Sequence, residues 1–148
     1  MAAIRRADAT WSGDLPSGKG NVTASSSGVF KGLDVSWARR SEADANGVTS
    51  PEELLAAAHA ACFAMAFSAG LGRNGTPPES LNVSAAVTFD RAGEGFKVVS
   101  SALEVRGKVP GIDAAKFAEL AEGAKNNCPI SGALKGNVEL SVKPTLES

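Results

Sequence analysis

The sequence has no tyrosine, a single histidine and only two cysteines, and its aromatic side chains make up 5% of 148 residues. So few rings exclude large pockets walled by stacked aromatics. Two cysteines are too few for a disulfide scaffold, so they are either inert core thiols or a reactive pair. No charge of one sign is in excess: 15 Lys and Arg stand against 16 Asp and Glu, for a net charge of -1. Without a basic run there is no electrostatic footprint for nucleic acid or an anionic membrane. The longest apolar stretch, Leu54 to Ala69, is interrupted by His59 and falls short of the roughly 20 residues of a membrane span. No apolar run follows Arg5 and Arg6, as a signal peptide would require, so the expected location is the cytoplasm. What is present, 43% hydrophobic and 21% charged residues, suits one folded domain over residues 1–148.

The first third reads as strands and turns. Ala7–Gly13, Asn21–Ser25 and Val29–Val35 alternate as strands, separated by the turn-rich Ser12–Gly18 and by Ser25–Gly28. Ser41–Thr49 is polar and reads as a loop. Thr49-Ser50-Pro51-Glu52-Glu53 then opens a helix: Ser50 caps it, Pro51 suits the first helical position, Glu52 and Glu53 face the positive end of the dipole, and Ser50 with Glu53 fits a capping box. This helix is expected to end near Ala69, at Gly70 and Gly72. It is apolar almost all round and rich in alanine. A helix without a polar face is buried, and a chain of this length has little with which to bury it, which points to a dimer. Val83, Ala85, Val87 and Phe89 mark the next strand. Arg91–Gly95 is a hairpin loop, and Leu103, Val105 and Val109 belong to the returning segment. Ile112–Ala124 is an amphipathic helix opened by Asp113, a short helix follows Cys128-Pro129, and Val138, Leu140 and Val142 alternate in a last strand. The expected fold is α+β, with a mostly antiparallel sheet and a buried alanine-rich helix.

Taken alone, Cys62 in the apolar helix reads as a small buried hydrophobe. Cys128 precedes a helix-initiating proline, where backbone amides and the helix dipole favour a thiolate. His59 and Cys62 share a helix face, which admits a nucleophile–base pair. With Cys128 they amount to three zinc ligands, one short of a structural site and without a close-spaced cysteine pair, so no metal is expected.

Residues 49–66, from Thr49-Ser50-Pro51-Glu52-Glu53 through His59-Ala60-Ala61-Cys62-Phe63, resemble a signature of the OsmC and organic hydroperoxide resistance (Ohr) family. Asn127-Cys128-Pro129-Ile130-Ser131 resembles its second cysteine motif. Trp11-Ser12-Gly13-Asp14-Leu15 and Val109-Pro110-Gly111-Ile112-Asp113 also match, so the resemblance covers essentially the whole chain. His59 and the Trp11 start are more similar to the OsmC branch. The resemblance implies an intertwined dimer and a thiol peroxidase that reduces organic hydroperoxides and, more weakly, hydrogen peroxide, with no cofactor. It implies that Cys62 attacks the peroxide and becomes a sulfenic acid, that Cys128 resolves it to a disulfide, and that a dithiol such as lipoamide reduces the disulfide. Glu52 matches the family's catalytic glutamate and Arg40 its catalytic arginine. The chemistry suits these types: burial in an alanine-rich helix raises a thiol pKa, a guanidinium reverses this, and a carboxylate orients the guanidinium.

Arg39 and Arg40 are adjacent, and in strand geometry they face opposite sides; the motif register places Arg40 at the site. Glu52 and Cys62 are ten positions apart, about 15 Å along a straight helix. Either the helix breaks near His59, or Arg40 bridges, or the groups meet across a subunit boundary. Leu54, Leu55, Phe63, Met65 and Phe67 are candidates for an apolar access channel, or for core. The competing class is a non-catalytic OsmC-like binding or stress protein with idle thiols; the presence of both cysteines, Glu52 and an arginine favours the enzyme.

Overall fold

The computed structural model describes residues 1–147. The chain forms two compact units, Met1–Leu54 and a second from Leu55 onward. In the first, β1 (Asp8–Ser12), β2 (Lys19–Thr23) and β3 (Leu33–Val35) make an antiparallel sheet in sequence order. The turn between β1 and β2 is held by Asp14, whose carboxylate accepts from the backbone N–H and the hydroxyl of Ser17. The third strand is shorter than the expected Val29–Val35. The left-handed φ of +64° at Gly32 breaks the extended run before Leu33. Arg39 and Arg40 lie not on a strand but in a short helix, α1 (Trp37–Ser41), where Ser36 caps the Arg39 N–H. The helical wheel, rather than strand alternation, separates the two side chains.

Helix α2 (Pro51–Arg73) begins as its cap residues dictate: the Ser50 hydroxyl accepts from the Glu53 N–H at 3.1 Å. The capping box is only half formed, because the Glu53 carboxylate takes the Thr49 hydroxyl instead. The helix continues through Gly70 and Gly72. Its stop is Gly75, at φ +81°, where Gly75 N–H bonds to Gly72 C=O and Thr76 N–H to Leu71 C=O, the Schellman pattern. There is no break near His59. At 23 residues α2 is long and apolar enough to cross a membrane by length and composition, which the count from Leu54 to Ala69 did not allow. It also buries less than expected: within this chain only a stripe of His59, Phe63, Phe67 and Leu71 is fully buried, while Ala57, Ala58, Ala61 and Ala69 are exposed and Met65 is 70% exposed.

In the second unit β4 (Ser80–Ala92) and β5 (Gly95–Lys108) form an antiparallel hairpin, closed by a turn at Gly93-Glu94 that is tighter than the expected five-residue loop. α3 (Ala114–Asn127), capped by Asp113 through the Lys116 N–H, and α4 (Pro129–Leu134) carry the chain to β6 (Glu139–Glu147). β6 pairs parallel to β5, the one parallel pairing among the described residues of this α+β fold. The inward face of β5, Ser101, Leu103 and Val105, meets the α2 stripe and α3 residues Phe117, Ala121 and Ala124 in one core. Phe63, Phe67 and Phe117 interlock there, with ring centroids 5.5 and 5.0 Å apart. These rings are core, not channel.

Candidate active site

In the first unit, Arg40 and Glu52 form a bidentate pair. Arg40 Nη2 donates to Glu52 Oε1 at 2.8 Å, and Nε lies 3.1 and 3.2 Å from the two carboxylate oxygens. Glu52 is 7% exposed, and such a fork fixes the guanidinium plane. Arg39 instead pairs with Glu42 at 3.1 Å, on the surface. Beside the pair is a cavity of about 360 Å³, walled by Trp11, Leu15, Val35, Trp37 and Pro51 and including Arg40 in its lining. Trp11 lies close over the β2 backbone. A Cβ at Gly20 would come within 2.6 Å of its ring and 2.5 Å of Thr10 O, so only glycine allows this packing. The sequence motif containing Trp11 was legible, but its place in a cavity wall was not.

In the second unit the two cysteines meet at the start of α4. Both are free thiols. Cys128 ends α3 and caps α4, its sulfur accepting the Ser131 N–H at 3.3 Å. The Cys62 thiol is a neighbour of Cys128 and of the backbone N–H of Ile130. Burial pushes the Cys62 thiol above its ordinary value; the Ile130 N–H opposes this, and the neighbouring Cys128 adds to it. None of these groups is a cation.

His59 lies beneath this pair, fully buried. Its Nδ1 is 2.6 Å from Ser101 Oγ and its Nε2 2.8 Å from Ser131 Oγ. Both ring nitrogens are therefore engaged by hydroxyls, and neither is directed at Cys62 as a base. Burial lowers the imidazole below its ordinary pKa. Sequence reasoning missed Ser101 and Ser131. Extending the β5 alternation back from Val105 and Leu103 lands on Ser101, and a histidine in an apolar helix demands polar partners.

Residues 44–143 match the sequence profile of the OsmC-like proteins. The chain belongs to the OsmC-like family. Peroxiredoxin OsmC of Escherichia coli is 40% identical over 140 residues, which is 95% of this chain and 96% of that protein. The organic hydroperoxide resistance protein of Xanthomonas axonopodis is 34% identical over 95 residues, 64% of this chain and 65% of that protein. Among solved structures, the organic hydroperoxide resistance protein OhrB of Bacillus subtilis superposes with a TM-score of 0.70 at 28% identity, covering 96% of this chain and 98% of its own. The α+β fold found here, with two sheets and a long helix, is thus that of OsmC-like structures.

Proposed function

We propose that this OsmC-like protein is a cysteine-based hydroperoxide reductase. The observation that carries the reading is the nearness of two free thiols: Cys128, which caps α4, adjoins Cys62 closely enough to raise its pKa. A thiolate of Cys62 attacks the terminal peroxide oxygen, the O–O bond breaks, the alcohol leaves, and a sulfenic acid remains. Cys128 condenses with it to a disulfide, releasing water, and an external dithiol, lipoamide in type, restores both thiols. Recycling by a dithiol suits a reducing compartment such as the cytoplasm.

Burial alone leaves Cys62 protonated at neutral pH, so its activation needs a cation. Arg40, oriented by Glu52, is the group proposed for it. Because α2 is unbroken between Glu52 and Cys62, about 15 Å of helix rise separates them. We therefore assign the Arg40–Glu52 pair to the Cys62 of a second subunit in a homodimer. The exposed apolar face of α2 around Ala57, Ala61 and Met65 supports that assembly. The cavity walled by Trp11, Leu15 and Trp37 suits the organic half of an alkyl or aryl hydroperoxide, with Arg40 at its polar end. The test is steady-state reduction of cumene hydroperoxide against hydrogen peroxide, with dihydrolipoamide and thioredoxin compared as reductants. Faster turnover of cumene hydroperoxide with dihydrolipoamide is expected; no turnover with either peroxide would refute the reading.

A further inference from the structure

The buried polar groups of the second unit form a single file that the peroxidase chemistry above does not use. Cys128 Sγ donates to Ser131 Oγ at 3.1 Å, Ser131 Oγ is 2.8 Å from His59 Nε2, and His59 Nδ1 is 2.6 Å from Ser101 Oγ. All four residues are buried, with exposures of 0 or 1%. Among the described residues no carboxylate or cation hydrogen-bonds to any of them, and the titratable groups at the file are the imidazole itself, Cys128 and the neighbouring Cys62.

The direction of the file follows from valence. A serine hydroxyl has one proton. If Ser131 accepts the Cys128 thiol proton, its own proton points at His59 Nε2, which must then be the unprotonated nitrogen. Nδ1 carries the ring proton and donates it to Ser101. Each buried polar atom is thereby satisfied, and a neutral base stands two hydrogen bonds from a thiol that has no solvent contact.

We propose that Ser131 and His59 form a proton relay that activates Cys128 for the resolving step, with Ser101 holding the imidazole in the required tautomer. The proposal rests on the reading of Cys128 as the resolving cysteine. As Cys128 Sγ attacks Cys62 Sγ, the S–S bond forms and the S–O bond of the sulfenic acid breaks, its electron pair leaving with hydroxide. The thiol proton passes to Ser131 Oγ while the Ser131 proton passes to His59 Nε2. One proton then returns through solvent to make the hydroxide water. Cys128 is oxidised by one electron equivalent and the Cys62 sulfur reduced by one, so the step needs no other reactant. Burial supports the relay in a second way: it keeps His59 neutral in the resting protein, and therefore able to accept. Ser131 and His59 are positioning and proton-transfer residues here, and the Ser131 N–H separately holds the Cys128 sulfur in place.

The experiment is a single turnover with one equivalent of cumene hydroperoxide and no reductant. Sulfenic acid is followed by trapping with a dione probe, and the disulfide by the mass loss on bridging, across a pH series. Relative to sulfenic acid formation, disulfide formation should slow about 100-fold in Ser131→Ala. The deficit should shrink as pH rises, because hydroxide from solvent then takes over as proton acceptor. Ser131→Thr, which keeps the hydroxyl, should restore most of the rate, and His59→Gln, which can bond but not take up the proton, should not. A Ser131→Ala protein that bridges at the wild-type rate, or with a deficit independent of pH, overturns the relay while leaving the peroxidase reading intact. A wild-type protein that forms sulfenic acid but no disulfide overturns both the resolving role and the relay. A measurement without substitutions also decides. Since His59 is the only histidine, ¹⁵N labelling gives one imidazole spectrum. The neutral ring protonated on Nδ1 supports the relay, and a proton on Nε2 rules it out.

Discussion

Under the proposed chemistry, Cys62, Cys128 and His59 each respond to substitution in their own way. Cys62→Ser should abolish peroxide reduction. Cys128→Ser should consume about one equivalent of peroxide and then stop when a bulky dithiol is the reductant, because a small thiol can attack the sulfenic acid directly. Peroxide consumed per protein in a burst assay distinguishes the two. The third side chain, His59, makes stability depend on pH. Its folded-state pKa lies below the ordinary 6.5, so the unfolded chain binds the proton more readily. Its contribution is complete above pH 6.5 and is lost as pH falls through the lowered folded value, with a slope of at most about 1.4 kcal/mol per pH unit. Urea midpoints compared at neutral and mildly acid pH should show this slope, and His59→Gln should lack it. The cysteines, Glu52 and Arg40 were legible as motif positions. The partners of His59 were not, because they come from β5 and α4, 42 and 72 positions along the chain, and no local pattern links them.

At the level of elements, a local rule without a rival holds, and one that competes with another does not. Ser50-Pro51-Glu52 and Asp113 each mark a helix start, and the structure places both starts there. The end of α2 was expected at Gly70 and Gly72, because glycine stops helices. Glycine only does so when the chain leaves the helix in a left-handed conformation, and here that residue is Gly75. Leu71, one turn beyond Phe67, is buried in the core and holds the helix together past both earlier glycines. Gly75→Ala should therefore cost about 1–2 kcal/mol, from the left-handed φ forced on alanine, measured as a lowered urea midpoint. Alanine at Gly72, inside the helix with open space around its Cβ position, should instead stabilise by up to about 1 kcal/mol. Arg39 and Arg40 part company through a helix rather than a strand. α1 turns the adjacent side chains apart by the helical step, sending Arg40 to Glu52 and Arg39 to Glu42.

For the whole molecule the decisive fact is that α2 is apolar on a face that this chain leaves uncovered, while its Glu52 end and its Cys62 middle belong to one unbroken helix. The proposed two-fold dimer would satisfy both, since an isologous interface covers the same face on each copy. Met65→Arg, which places a charge on that face, should give a 15 kDa species by light scattering in place of the dimer. Complementation tests where the site is built. Arg40→Ala and Cys62→Ser should each be nearly inactive as pure proteins. If Arg40 serves the thiol of the other subunit, a mixed dimer of the two variants contains one intact site, joining the Cys62 of the Arg40→Ala chain to the arginine of the Cys62→Ser chain. Random pairing makes half the dimers mixed, so a co-refolded equimolar mixture should recover about a quarter of wild-type turnover. If Arg40 serves the Cys62 of its own chain, every site in the mixture carries one defect and nothing is recovered. Arg39→Ala, whose partner is a surface glutamate, should be active alone and should make no difference to the mixture.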